Sequence, residues 1–530
     1  MQTGDEVMRS LFVLVISSAL VLTGCSAPEP EIKLIPLTTT SPEAEKLMKE
    51  VMLNEEEFRQ DENESILAEI LLLDPDFAFA KMYAPRYFVS DPANAKAIFL
   101  SGYEDLQAVS PVEQKIMSAM HAGFLEGDNI KRSEILDELV AAYPDYYQLR
   151  LMSANSYNDL ANPSMVDERL VEAAEIHPKS FYAFTRRAML HFPVGTFFVN
   201  LPVEDRNLSE AKGLLDTAQS ILPNSPIPNR FLGNIYRNEG DLDAALAAYK
   251  ATVDLIENKQ SRFYSEAQLM VGHALTFKGD YEEARVAYKR GFDASPDLWW
   301  KFQVGMYSAQ SHLFERQYGK AVISLVEHKK ASQEFGDSDE LKLRFARNVE
   351  EAKFRALSHS LDEQGARAAI DAFTALSEEI AEMEKSRAES AEERSRIKRQ
   401  VDQRVASLNI WFDILFAKFD DAKERLSSFK AVAETGLASD PNALVPYLKL
   451  RAHLHLMEGN PEQAIEVYSN VPKTLLDDDV YHSYFFALAK KAVGELDESR
   501  QILEYISGYY FYDWGSALVR NLVEDQLASW

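Results

Sequence analysis

A block recurs in this chain after 39 residues: Gly233, Gly240-Asp241, Ala245 and Tyr249-Lys250 are followed by Gly272, Gly279-Asp280, Ala284 and Tyr288-Lys289. Self-similarity at a fixed period restricts a chain to an array of stacked units, because one unit cannot bury its own apolar face and needs the next to cover it. Over 240–254 and 279–293, seven of fifteen positions are identical, and they share one steric logic. Small residues stand where two helices must touch, a Gly-Asp pair stands where the chain must reverse, and one Tyr fills a hole. At 530 residues the chain exceeds the roughly 250–300 at which a single core stops growing, and the repeat favours a solenoid over a string of domains.

The rest of the chain reads as helices. After Pro42, Ala, Leu, Glu and Lys dominate, apolar residues recur at three and four, and no sustained period-two alternation appears. Pro75, Pro111, Pro144, Pro178, Pro223 and Pro296 each follow a helix-like run, the first four spaced 36, 33 and 34 residues apart. Proline stops a helix because it lacks an amide donor and restricts the residue before it.

A period near 34 built from two helices resembles the tetratricopeptide repeat, and the resemblance assigns positions. Gly233 and Tyr236, the turn Gly240-Asp241, Ala245 and Tyr249 occupy one unit. Gly272, the turn at Gly279, Ala284, Tyr288 and the terminal Pro296 occupy the next, and Gly459, Ala464 and Tyr468 repeat the offsets farther on. Gly494, Ser499 and Leu503 form a weaker copy. The 39-residue spacing carries about five residues beyond the usual repeat around Asn258-Lys259-Gln260, where the superhelix should be irregular. The fold expected is all-α, a tetratricopeptide-like helical-hairpin solenoid in two lobes separated by long charged helices. If a groove binds a partner, the resemblance places it on the first helices of the hairpins, at Asn229, Asn234, Arg237, Gln268 and His273.

The single cysteine, Cys25, excludes an intrachain disulfide and any cysteine-based metal or redox site. It follows Arg9, an apolar stretch from Leu11 to Leu22, and Thr23-Gly24. A short positive end, a 12-residue apolar run and small residues before a break make a secretory signal, too short to span a membrane. Leu22-Thr23-Gly24-Cys25 resembles the lipobox of bacterial lipoproteins, which implies cleavage before Cys25 and acylation of its sulfur. Ser26 after the cysteine resembles the signal for outer-membrane sorting, facing the periplasm. Asp5 and Glu6 are unusual in such a signal, so translation is expected to start at Met8. The chain then divides into a signal at 1–24, a flexible tether at 25–42, an N-terminal array at 43–335, long charged helices at 336–410, and C-terminal repeats with a cap at 411–530.

Two stretches interrupt the rhythm. Residues 191–202, apolar with two prolines and a glycine, read either as a rigid loop tucked against the solenoid or as an exposed binding loop. The dense charge of 377–403, carrying a thin apolar stripe, reads either as solvated long helices or as a partner-binding arm. The ring-rich end, Tyr505, Tyr509, Tyr510, Phe511, Tyr512 and Trp514, reads as a terminal cap or as a patch that grips a partner.

No histidine pair has the spacing with glutamate of a helical zinc site, His453 and His455 point to different helix faces, and no nucleophile elbow or phosphate loop occurs. No metal, cofactor or enzymatic activity is expected. The net charge of −28, from 84 acidic and 56 basic residues, repels nucleic-acid phosphates and gives no general attraction to anionic lipid. The class that remains is a lipid-anchored scaffold for protein–protein interaction or complex assembly at the bacterial envelope. Its alternative is an accessory subunit that binds a ligand or polysaccharide for an export or hydrolytic machine. One consequence of the small-residue rule is direct: Ala245→Leu or Ala284→Leu should overpack the helix contact and lower stability by about 1–3 kcal/mol, read from the denaturant midpoint.

Overall fold

The computed structural model describes residues 32–530, apart from positions 90, 105, 195–197, 297, 335–337 and 389. The expected signal 1–24, Cys25, Ser26 and the centre of the apolar loop (195–197) lie outside the described residues. Among the described residues every regular element is helical, and most helices pack on their chain neighbours, from Pro42–Glu56 to Trp514–Ala528. The protein is an all-α solenoid of helical hairpins.

One turn builds most of the hairpins. The last residue of the first helix passes into a left-handed residue: Gly240 (φ 80°), Gly279 (φ 86°), Gly459 (φ 82°) and Gly494 (φ 87°). The amide of the next residue reaches back five positions, as in Asp241 N to Tyr236 O (2.9 Å) and Asp280 N to Leu275 O (3.0 Å). These bonds satisfy carbonyls that a helix end leaves open. Asp241 then caps the second helix by accepting from Ala244 N at 2.9 Å, so a single Gly-Asp pair closes one helix and opens the next. The same turn, with its reaching bond, occurs at Ala161 (φ 53°), Arg316 (φ 57°), Leu361 (φ 61°) and Ala417 (φ 55°).

From that residue the register is constant. Five positions on stands a buried residue, small at Ala245, Ala284, Ala321, Ala366, Ala422, Ala464 and Ser499 and Val at Val166. Four positions later comes a buried large one: Tyr249, Tyr288, Leu325, Ile370, Leu426, Tyr468, Leu503 and Leu170. Tyr249 and Tyr288 lie on glycines of the first helix. A Cβ on Gly233 would stand 2.4 Å from the Tyr249 ring, and one on Gly272 2.2 Å from the Tyr288 ring. His328 lies on Gly305 in the same way, at a different offset. Tyr236 is half-buried beside this core, and Pro296 follows the helix end at Ala294.

Several expectations change. Pro111 opens helix Pro111–His121, behind the cap Ser110, rather than closing a helix. The loop at 256–261 absorbs the longer spacing, and Arg262, which opens the next helix, donates its amide to Asp61 (3.1 Å). Residues 32–41 have no regular secondary structure, yet they are fastened. Ile35 is buried and donates its amide to Gln148 (2.8 Å), Thr38 N bonds Glu113 (2.8 Å), and Thr39 and Thr40 bond Asp74. Glu113 and Asp74 are buried carboxylates that need donors, and the threonines expected in a loose tether supply them. Packing also runs without a break through Asp339–His359, Glu363–Ser386 and Ala391–Leu415, so residue 410 falls inside a helix and no lobe boundary stands there.

Five histidines of the core, His273, His328, His359, His453 and His482, are held neutral by burial. His328, His359 and His482 are pushed down to about 4 and the other two well below their ordinary value. Below pH ~6.5 the unfolded chain binds protons at these rings that the folded chain refuses, so their contribution is complete above that pH and is lost on acidification. Burial raises Glu56 to about 7 and Asp61 and Asp513 to about 6. Those three act in the opposite sense, stabilising as pH falls, but the histidines outnumber them. Stability should therefore decline from pH 6.5 towards 4.5. His453 has neither ring nitrogen hydrogen-bonded and lies 3.8 Å from the Phe485 ring. His453→Leu should flatten the acid limb by up to about 1.4 kcal/mol per pH unit and raise stability at pH 7, measured by urea unfolding across pH.

The turn gives a second test. Leu361 is 75% exposed in a conformation that L side chains resist, so Leu361→Gly should add about 0.5–1.5 kcal/mol. A Cβ on Gly279 meets nothing within 4 Å, so Gly279→Ala should lose about 1 kcal/mol through backbone strain alone, in the same unfolding assay.

Candidate functional site

The array coils back on itself, and residues 200–300 positions apart meet. Lys96 pairs with Glu393 (2.5 Å), Asn442 Nδ2 donates to Leu160 O (3.1 Å), and Arg206 pairs with Asp478 (2.7 Å). Tyr512 donates to Tyr307 O (2.9 Å), Asn521 to Phe314 O (3.0 Å), and Arg316 pairs with Asp525 (2.8 Å). The charged helices contribute to this closure at their tips. Glu340, almost fully buried, holds Arg344 (2.8 Å) and Arg387 (2.5 Å), and Lys96 donates to Arg387 O (3.4 Å).

Closure removes the expected open groove. Asn234, Arg237, Gln268 and His273 are buried and Asn229 is half-buried. Asn234 accepts from Tyr249 OH (2.6 Å), which makes it a partner of the repeat tyrosine. His273 bonds Tyr288 OH (3.0 Å) and stacks on Tyr512 at 4.5 Å. The C-terminal rings fill this face: Tyr512 also packs on Tyr307 and Phe314, and Tyr510 on Phe277. Apolar faces left by the first helices are covered from within the same chain, so the aromatic end does more than cap the last hairpin.

Beside this plug the first helices enclose a half-open cavity of about 520 Å³. Tyr147–Asp159, Asp339–His359, Ala391–Leu415, Val445–Met457 and Val480–Ala492 contribute Asn158, Arg355, Trp411, Lys449 and Tyr481 with His482. Residues 509–515 close one side. Pro193, Phe198, Val199 and Asn200 line another: Asn200 Nδ2 donates to Met189 O (2.7 Å) and Phe192 O (2.8 Å), and Val199 N to Asn158 (2.9 Å).

The charges inside are largely matched. Lys449 binds Asp479 (2.7 Å) and Leu475 O (2.8 Å), which holds the Asp479 carboxyl down at about 2 against the effect of its burial. Arg355 pairs with Glu351 (2.6 Å) and lies over the rings of Trp411 and Trp514. Trp411 Nε1 donates to Tyr481 OH (2.9 Å). Asp513 accepts from Ser516 N (2.6 Å), capping helix Trp514–Ala528, and forms no ion pair among the described residues. Its lining comes from helices far apart in the chain, so no local spacing marked this cavity in the sequence. Two stretches singled out in the sequence do contribute to its wall, the 191–202 segment through Pro193 and Phe198 and the ring-rich end through Tyr509, Phe511 and Trp514. Among the described residues no group of three or more His, Cys, Asp or Glu is placed to hold a metal ion, and no helix is long and apolar enough to cross a membrane.

Residues 231–259 and 265–298 match the tetratricopeptide repeat family. Comparison with curated protein sequences finds no match. Among solved structures the chain is similar to MamA (18% identity over 35% of this chain and 95% of that one, TM-score 0.26). It is also similar to the APC/C hetero-tetramer Cut9–Hcn1 (16% identity, 59% of this chain and 55% of that one, TM-score 0.38). A third is the C-terminal part of a TPR repeat-containing protein from Cytophaga hutchinsonii (12% identity, 49% and 95%, TM-score 0.29). The chain is a helical-hairpin solenoid that carries tetratricopeptide repeats, a scaffold for protein–protein interaction.

Proposed function

We propose that the protein is a lipoprotein of the bacterial envelope, anchored through acylated Cys25 and acting as a scaffold on which other proteins assemble. The observation that carries this reading is the lone cysteine of a 530-residue chain, standing directly after Leu22-Thr23-Gly24 and a signal-like apolar run. The repeats support a binding role, and no catalytic residue is assigned. Ser26 favours the outer membrane with the solenoid facing the periplasm. Because the chain is fastened to the solenoid from Lys33 and Ile35 onward, only about seven residues separate Cys25 from the fold. Such a length spans at most about 25 Å, which would hold the solenoid close to the lipid surface. The second reading, an accessory subunit that binds a ligand, draws its support from the 520 Å³ cavity.

Expression of the Cys25→Ser variant in a double-membraned bacterium tests the anchor. Cell fractionation should move the protein from the membrane pellet to the soluble fraction, with loss of acyl labelling. A Cys25→Ser protein as membrane-bound as the parent would remove the reading. Cross-linking in intact cells, with identification of the proteins captured by the parent chain, then tests the scaffold role.

A further inference from the structure

We propose that the edge of the solenoid crossed by residues 33–40 rests on the lipid leaflet that holds Cys25, so that the first hairpins meet the membrane through exposed leucines. This inference rests on the acylation of Cys25. Residues 33–40 form a strap across three junctions between hairpins. Lys33 pairs with Asp145 (2.5 Å), Ile35 N bonds Gln148 (2.8 Å), Thr38 N bonds Glu113 (2.8 Å), and Thr40 N bonds Asp74 (3.0 Å). Inward and outward residues alternate along it, as in an extended chain: Ile35 is buried and Leu37 half-buried, whereas Leu34 and Pro36 are exposed. From Lys33 about seven residues lead to Cys25, at most about 25 Å, so the strap edge cannot stand far from the anchor. That edge is apolar. Leu72, at the end of helix Asn63–Leu73, is 83% exposed, and Leu73 beside it and Leu34 are each 43% exposed. Asp74, the next residue after these leucines, is the one that accepts Thr40 N, which places leucines and strap together. At the Asp145 junction Tyr143 and Tyr146 are half-buried with their rings 5.9 Å apart, the side chain that suits a lipid–water boundary. The acids of the junctions are mostly engaged within the fold: Asp74 and Glu113 hold the strap and Asp145 pairs with Lys33, leaving Asp76 exposed. In a chain of net charge −28 this contact is apolar and needs no anionic lipid, since exposed leucines gain by entering the acyl boundary.

The test reads lipid contact from a fluorescent label. Cys25 is the single cysteine and its sulfur is acylated in the anchored protein, so Leu34→Cys, Leu72→Cys and Phe124→Cys each offer one free thiol for a bimane probe. Phe124 is the control: it is 45% exposed, like Leu34, but lies beside the reversal at Gly127, about 20 Å along the helix that Pro111 opens at the strap edge. The labelled full chains are reconstituted in phosphatidylcholine vesicles with and without a nitroxide on the lipid headgroup. Labels at 34 and 72 should shift to the blue and be quenched by the nitroxide, and the label at 124 should do neither. Leu72→Glu together with Leu73→Glu should reduce the quenching at 34 while the protein still floats with the vesicles. Floating protein whose labels at 34 and 72 stay unquenched, or equal quenching at all three positions, would overturn the edge contact and leave the anchor standing. Protein that does not float would remove the anchor and the edge contact together.

Discussion

Most of the hairpins depend on one backbone reversal: a residue in the left-handed region, whose successor bonds back five positions and opens the next helix. That reversal sets the rotational phase of the second helix against the first. It is why a buried residue, most often alanine, stands five positions on and a large one nine. Where the geometry is most compact the large residue is a tyrosine ring laid on a bare glycine, with no room for a single added carbon. Helices this close interlock through shape, and the turn holds them in the register that makes the shapes meet.

Stacked hairpins alone would leave the first helices facing an open groove. Here the groove is occupied by the same chain. Ion pairs and hydrogen bonds link the early hairpins to the late ones, and Tyr512 sits among rings contributed some two hundred residues earlier. The result is a closed interior with buried neutral histidines, paired charges and a half-open cavity. A partner of the scaffold would therefore meet the outer surface or the rim, and the inside is suited to something small.

The units legible in the sequence are those whose reversal uses glycine, at Gly240, Gly279, Gly459 and Gly494. The hairpins turning at Ala161, Arg316, Leu361 and Ala417 adopt the same conformation with residues that carry no turn signal, because the packing of the helices on either side compels it. The proline rule worked where proline follows a helix end, as at Pro144 and Pro178, and misread Pro111, since proline is equally at home in a first turn. The dense charge of 377–403 lies at the surface, with Glu378, Glu379, Glu382, Glu392 and Arg399 exposed, whereas Glu340, outside that run, is buried between two arginines. Thr38 to Thr40 looked like tether because their partners, Glu113 and Asp74, are distant in the chain.

What the amino-acid sequence determined by itself is the unit: helix, reversal, helix, with small residues at the contact and a ring to fill it. Those rules act over fewer than twenty residues and leave a periodic imprint. What only the tertiary structure decided is how the array closes, which face is covered and where the cavity lies. These depend on the small rotation from each hairpin to the next, accumulated over the whole solenoid until Lys96 meets Glu393 and Tyr512 meets His273. No single residue encodes that sum, and each unit shifts it slightly through the length and packing of its own helices.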